Sequence, residues 1–454
     1  MRYYNGYSFD PLEKLLINSS LDGDHLLGKK SMKLDWDLNY VRTNRDQPDL
    51  RNLLYGRSIN DDSAPLQAEV PTGGSANRNT SHFYSNLIEN AYGGNVSLSI
   101  PMTMFKNKSL FKVGGVTQVK TRDFSARILG YVLDVNNQQL SELPHGIIFD
   151  QTNINETGFT LNEITNNTDK YDATSALFGG YAMLDNKLSD KVRVVWGVRT
   201  ESYLQDVNTY DKSTGAPYQS KRTYFDILPS VNFTLSPTAK SNIRLSASQT
   251  VSRPELREVS NFGFYDFITN SSISGNPELE SGKNLNLDLR YELFPTAGEI
   301  ISMSVFYKKF KNPIEEIIES GSTANSRRRS YQNIDNAQNY GVELELRKRL
   351  NFIGDGAFFN DMTFYTNLAY VKSKLDFEGV NNVFDRDRAL QGQSPYIINA
   401  GLGYNNTNAG LSANLLYNRI GQRISDVGFD GYGAIYENYR NVIDFQLSKQ
   451  IIKG

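Results

Sequence analysis

Residues 284–293 of the chain alternate without a miss. Leu285, Leu287, Leu289, Tyr291 and Leu293 fall on one parity, and Asn284, Asn286, Asp288, Arg290 and Glu292 on the other. A period of two over that length is a β-strand with an apolar face and a polar one. The polar face carries charges of both signs (Asp288, Arg290, Glu292), so it cannot be packed into an apolar core or set in lipid. Pro295 to Gly298 reads as a tight turn. Beyond it a second strand sets Ile301, Met303, Val305 and Tyr307 against Ser302, Ser304 and Lys308. Together they predict a hairpin. Each strand exceeds the usual five to six residues or so of soluble proteins and has the roughly 9–11 residues that cross a bilayer at a tilt.

The pattern recurs along the chain. Met32, Leu34, Trp36, Leu38 and Tyr40 alternate with Lys33, Asp35, Asp37 and Asn39. A polar stretch from Arg45 to Arg78 is expected to be a loop. Long strands are expected at 80–104, with a bulge at Gly93-Gly94, and at about 110–131, followed by a loop of some forty residues to Tyr171. Further strands follow at 174–186 and 191–205, 220–236 and 241–252, 337–350 and 360–375, and 394–404 and 410–422. Within each pair the connection is short. Between pairs it is long: 206–219, 253–281, 313–336, 376–393 and 423–437. Strict alternation of short turns and long loops is the habit of outer-membrane barrels, short at the periplasmic rim and long outside. Val342, Leu344 and Leu346 against Glu343, Glu345 and Arg347 repeat the two-faced pattern, as do Ile443, Phe445 and Leu447 against Asp444, Gln446 and Ser448.

These faces predict apolar side chains toward lipid and charged ones toward a water-filled or plugged lumen. The inverse would place cations in lipid at about 2–4 kcal/mol each near mid-bilayer, more in sum than a fold can bear. The fold class expected is all-β: an antiparallel up-and-down transmembrane barrel over residues 1–454, partial, with roughly fourteen strands of a barrel of about 22. Its open edges are unfavourable in lipid, so the fragment is not expected to fold stably alone.

Composition agrees. The chain is 39% hydrophobic, with 27 Tyr and 24 Phe against 2 Trp, and its mean hydropathy is −0.48. No apolar run reaches the 18 or so residues of a membrane helix. Tyrosines suit a membrane interface. A net charge of −2 gives no basic field for nucleic acid. With no cysteine there are no disulfides, thiolate metal sites or cysteine nucleophiles. The opening residues, MRYYNGYSFDPLEKLL, lack the basic and apolar regions of an export signal, so the chain is expected to be part of a longer protein.

Several segments also resemble a known family. SRPELRE (Ser252–Glu258), GNPEL (Gly275–Leu279), LRYELF (Leu289–Phe294) and FYKKFKNPIEE (Phe306–Glu316) look like the barrel of TonB-dependent outer-membrane receptors, in the branch found in Bacteroidetes-type bacteria. LDWDLNYVRTNRDQPDLR (Leu34–Arg51) and NVIDFQLSKQI (Asn441–Ile451) extend the likeness over most of the chain. The resemblance implies a receptor in the outer membrane of a Gram-negative cell. Outer loops would capture an unknown solute, and a plug in the lumen would be moved by the TonB complex. It also implies that the plug and final strands lie outside this chain. A passive porin or barrel adhesin uses the same scaffold and is the alternative.

Little points to catalysis. His25, His82 and His145 lie far apart in sequence without metal-ligand spacing, and none sits in a nucleophile motif. His82 is expected at the lumen or an interface. Ser272–Pro277 lacks the Lys and helix of a phosphate loop. No enzyme activity, cofactor or metal is implied. Two charged stretches are candidate ligand contacts on outer loops: Arg327, Arg328 and Arg329, and Asp385, Arg386, Asp387 and Arg388. Arginine suits carboxylate and phosphate groups. The competing reading is that these loops pair with lipopolysaccharide or with their own neighbours. Pro254, in Arg253-Pro254-Glu255, is expected simply to end a strand.

Overall fold

A computed structural model of the chain describes residues 2–28, 32–104, 106–320, 327–354, 356–376, 388–428 and 433–451. The wall is one antiparallel sheet whose main strands follow in chain order. They are β1 (Arg2–Phe9), β2 (Glu13–Leu27), β3 (Met32–Ser58), β4 (Ser81–Met104), β5 (Asn107–Leu133), β6 (Lys170–Lys187), β7 (Val192–Tyr210) and β8 (Pro217–Thr238). The second half holds β9 (Ser241–Ser252), β10 (Gly282–Leu293), β11 (Ile300–Lys311), β12 (Asn336–Arg349), β13 (Met362–Asp376), β14 (Tyr396–Asn406), β15 (Leu411–Ile420) and β16 (Arg440–Lys449). From β3 onward each pairs with the next in an up-and-down meander. The sheet has 18 strands. The four beyond the expected fourteen are β1 and β2, which lie end to end along β3, and the short strands Gln67–Ala68 and Phe159–Glu163.

Two expectations are corrected. The N-terminal strand was not foreseen, because Asp10-Pro11 breaks it and Leu15, Leu16 and Ile17 interrupt its alternation. The polar stretch from Arg45 is not wholly loop, since β3 runs on to Ser58. Above the bilayer the outward face meets water or other loops, so strand no longer requires apolar alternation. Among the described residues β2 and β16 pair along one edge only, and the sheet does not close on itself.

The faces lie as the alternation demands. Leu285, Leu287, Leu289 and Tyr291 are exposed, as are Ile301, Met303, Val305 and Leu344 across the next strands. Glu292, Ser302 and Ser304, of opposite parity, are buried. Register joins the apolar face: Leu289 stands opposite Val305, and Val305 opposite Val342. The inner face is crowded with charge, and several of its charges are paired. Arg290 Nη2 reaches Glu345 at 2.6 Å, while Glu292 accepts from Arg290 Nε at 2.9 Å and Arg244 Nε at 2.8 Å. Arg122 likewise pairs with Glu89. Short turns gather at one rim, among them Pro295–Glu299, where Gly298 takes a φ of 81° that disfavours a side chain.

The face assignment gives a direct expectation. Leu344→Arg, in the apolar row with Met303 and Leu368, puts a cation into lipid, at about 2–4 kcal/mol near mid-bilayer, and should sharply reduce assembled barrel of the complete receptor in a heat-modifiability gel. Asn286→Arg points into the lumen and should leave assembly unchanged. Equal loss from both substitutions would overturn the assignment.

Candidate functional site

At the long-loop rim the connection between β9 and β10 turns back against the inner wall. Pro254 cannot donate to the ladder, and β9 ends at Ser252. Leu256–Val259 then forms a single helical turn, with the Glu255 amide donating to the Glu258 carboxylate at 2.8 Å. Leu256, Val259, Phe262 and Leu279 of this loop are buried against Leu50, Phe83, Phe124, Ile128, Tyr171, Ala173 and Val207. Those wall residues share the inward parity of Arg122 and Glu89. Phe262 and Phe124 meet at 4.5 Å between ring centroids. The outer end of the lumen therefore holds an apolar core that the loop completes.

Polar anchors fix the loop in place. Arg253 is the chief one: its guanidinium contacts Glu201 at 2.7 Å and Asp226 at 3.0 Å and lies 4.5 Å from the Tyr203 ring centroid. Both carboxylates are buried. The Gln205 amide donates to the Pro254 carbonyl at 3.0 Å, and the Ser220 hydroxyl to the Pro277 carbonyl at 2.8 Å. Arg253 thus does more than precede a strand-ending proline. Its partners lie 52 and 27 positions upstream, and no local pattern announces them.

A second, four-stranded sheet ties the loops together. Gly263–Asp266 pairs with Ser271–Ser274, which runs parallel to Arg327–Asn333, itself antiparallel to Ile314–Ser320. The candidate arginine triplet thus lies in a strand: Arg327 stands opposite Ser320 and Arg328 opposite Glu319. Arg328 is exposed, whereas Arg329 is buried and bridges Glu316 at 3.2 Å and Asp426 at 2.6 Å. Of the other stretch, Asp385, Arg386 and Asp387 lie outside the described residues. Arg388 is buried, donating to both oxygens of Glu315 at 3.1 and 2.6 Å. The Gln391 amide adds a bond to Glu315 at 3.0 Å. Arg329 and Arg388 therefore cross-link three long loops.

Between these ties lies a cavity of about 620 Å³ whose lining includes Glu255, Glu258, Glu316, Glu437, Arg423 and Tyr331. Arg423 pairs with Glu437 at 2.6 Å. Burial pushes the Glu258 and Glu316 carboxyls above their ordinary range, outweighing Arg329 beside the latter. The cavity thus offers carboxyl groups and a phenol to a polar solute.

The histidines lie elsewhere. Trp36 donates to His25 at 3.0 Å, and His145 stacks on Tyr7 at 4.0 Å. His82 sits between Asp49 at 2.7 Å and Tyr131 at 2.9 Å. Its parity is that of Arg51 and Leu129 on the outward face, so it does not line the lumen. Among the described residues no group of three or more metal-ligating side chains occurs.

Apolar belt, charged lumen and asymmetric rims define a transmembrane β-barrel of the Gram-negative outer membrane. Residues 2–451 match the family model described as TonB dependent receptor-like, beta-barrel, and the chain belongs to that family, one of receptors and not of enzymes. A comparison with curated protein sequences finds no match. Among solved structures, the chain is similar to the siderophore receptor PiuA from Acinetobacter baumannii (13% identity, TM-score 0.65, covering 98% of this chain and 60% of that one). It is also similar to the pyoverdine receptor FpvA from Pseudomonas aeruginosa (11%, 0.60, 98% and 56%). The ferric-catecholate import receptor Fiu from E. coli K12 is a third (10%, 0.57, 100% and 68%). The chain spans about three fifths of the length of the first two.

Two outcomes follow from this geometry. Arg253→Ala takes from the buried Glu201 and Asp226 the cation they share and leaves one partner each, Arg199 at 2.6 Å and Lys283 at 3.3 Å. It therefore costs less than a buried charge left alone, about 3–5 kcal/mol. It should expose residues 253–281 to proteolysis while the wall strands stay protected, and Arg253→Lys should restore part of the protection. Glu258 keeps its proton to higher pH in the folded state than in the unfolded one. Its contribution is therefore complete below the ordinary carboxylate pKa and is lost as pH rises through the raised folded value. Hydrogen exchange at Leu256 and Val259, corrected for intrinsic rates, should show protection falling over that rise, and Glu258→Gln should flatten the fall.

Proposed function

We propose that this barrel is the wall of an outer-membrane receptor. It takes a scarce solute at its loop-lined mouth and passes it through the lumen to the periplasm, driven by the TonB complex acting on a plug. The observation that carries the reading is the mouth itself. A loop folded onto the inner wall by Arg253, and outer loops cross-linked by Arg329 and Arg388, frame one polar cavity. A passive pore has no need to close its own entrance with a packed apolar core. The charged inner wall supports the same reading, because a lumen lined by paired charges is wet and can hold a polar plug. Arg328, exposed beside the buried Arg329, is proposed to meet the solute. Arg327, Asp385, Arg386 and Asp387 are proposed with it as outer-loop contacts, while Arg388 shapes the cavity from behind.

The likeness to PiuA, FpvA and Fiu supports the architecture, and the names of these receptors point first to metal chelates as solutes to try. The test expresses the complete receptor in a strain lacking its own receptors. Accumulation of ferric siderophores, cobalamin, oligosaccharides and peptides is then measured with and without a protonophore. One of these solutes should accumulate only in energised cells, and Glu316→Gln with Tyr331→Ala should raise its half-saturation concentration about tenfold. Accumulation that persists without a proton gradient would overturn the reading in favour of a passive pore.

A further inference from the structure

At the foot of the lumen, on the short-turn rim, the inner wall carries a row of cations. Register fixes it: Lys187 stands opposite Arg193, Arg193 opposite Thr234, Thr234 opposite Arg244, and Arg244 opposite Arg290. Arg193 has the parity of the buried Glu201 on β7, and Arg290 that of Glu292 on β10, so the row faces inward. Like charges meet across the ladder twice in this row, at Lys187–Arg193 and at Arg244–Arg290, an arrangement that costs stability. Carboxylates offset part of the cost. Asp190 takes Lys187, Asp185 takes Arg193 and Glu292 takes Arg244, each at 2.8 Å.

The row lines a cavity of about 540 Å³ beside the turns that join β4 to β5, β6 to β7 and β8 to β9. Lys108, Lys187, Lys191, Arg193 and Arg244 line it, against two carboxylates, Asp185 and Asp190. Lys108 and Lys191 are exposed and have no ion-pair partner among the described residues. Of the three turns only Phe105 lies outside the described residues, and it carries no charge. Ser109 also lines the cavity. It is 6% exposed, and its hydroxyl meets no hydrogen-bond partner among the described residues. Solvation accounts for lone lysines on an open rim. It does not account for a buried hydroxyl left without a partner, which costs free energy until a ligand or water meets it. The mouth cavity has the opposite balance, four glutamates against two arginines, so the lining changes sign along the lumen.

We infer that this cavity is an exit subsite for an oxyanion, a carboxylate or phosphate group carried by the transported solute. Arg193, Arg244 and the three lysines supply charge-assisted donors, the chemistry that suits such groups, and the Ser109 and Thr234 hydroxyls add neutral ones. The volume suits a small-molecule site. The site stands on its own lining, while its place in solute release rests on the transport reading above. An anionic group that has left the acidic mouth is held at the periplasmic end of the lumen.

The test uses the complete receptor in detergent and reads acetylation of single lysines by mass spectrometry. Citrate or inorganic phosphate is added, with ionic strength held constant by chloride. One of the two should slow modification of Lys108, Lys187 and Lys191 about tenfold and leave Lys309, at the opposite rim, unchanged. Lys108→Gln with Lys191→Gln breaks no ion pair among the described residues and should raise the concentration for half-protection of Lys187 about tenfold. Heat-modifiable migration confirms that the variant is assembled; should it fail to assemble, the wild-type comparison of either oxyanion with chloride decides alone. No protection beyond that of chloride, or undiminished protection in the assembled variant, would overturn the site. Energised solute accumulation without such protection removes the exit site and leaves the transport reading standing. Protection without energised accumulation keeps the site and removes its role in release.

Discussion

The two-residue alternation across a hydrogen-bonded register holds the rest of this structure in place. Between its two edges the wall satisfies its backbone polar groups strand to strand, the only arrangement besides a helix that lipid tolerates. Once that ladder is set, side-chain parity alone decides what meets lipid and what meets the lumen. A slip of one residue would carry Asp288, Arg290 and Glu292 outward together. The charges on the inner face then create a demand of their own. Crowded on a concave surface, they settle into chains such as Arg244–Glu292–Arg290–Glu345, which run across strands and pin the same register that placed them there. Apolar belt and polar lining reinforce one another, although the two faces never touch.

How much of this was readable without coordinates follows from the range over which each feature is specified. Strand pairs such as β10–β11 declare themselves locally, because parity and a tight turn sit within one stretch of chain. The contrast between short and long connections is also local. The strand pair β1 and β2 was not legible, since Pro11 and the run Leu15-Leu16-Ile17 spoil the parity. The far end of β3 was missed because it rises above the belt, where apolar alternation has no cause. The four short strands of the outer sheet, GFYD, SSIS, IEEIIES and RRRSYQN, carry no sustained two-residue alternation and read as loop whatever they pair with.

The mouth was the least legible part, and the reason is physical. Its ties are single ion pairs between residues far apart in sequence. Arg388 meets Glu315 across 73 positions. Arg253 reaches Glu201 and Asp226 on two wall strands, and Arg329 meets Glu316 and Asp426 on two different loops. A triplet of arginines looks alike on paper whether its members face solvent or hold loops together. The structure separates them: Arg328 is exposed while its neighbour Arg329 is buried. What marks a tying arginine is a buried carboxylate brought within its reach from another element, visible only once the wall is assembled.

Buried ion pairs are a poor source of net stability, because desolvation offsets much of the attraction. Their use at this mouth has to lie elsewhere. Apolar packing, as between Phe262 and Phe124, holds the loop to the wall but tolerates sliding. A guanidinium gripping two carboxylates, or donating both its arms to one, accepts a single geometry and penalises every other. The loops 253–281 and 313–336 are long enough to be held in many ways by apolar contact alone. Charged ties select one of them, and with it one shape for the cavity between Glu258, Glu316 and Tyr331. The barrel wall supplies stability through lipid and ladder, and the mouth trades part of it for definition.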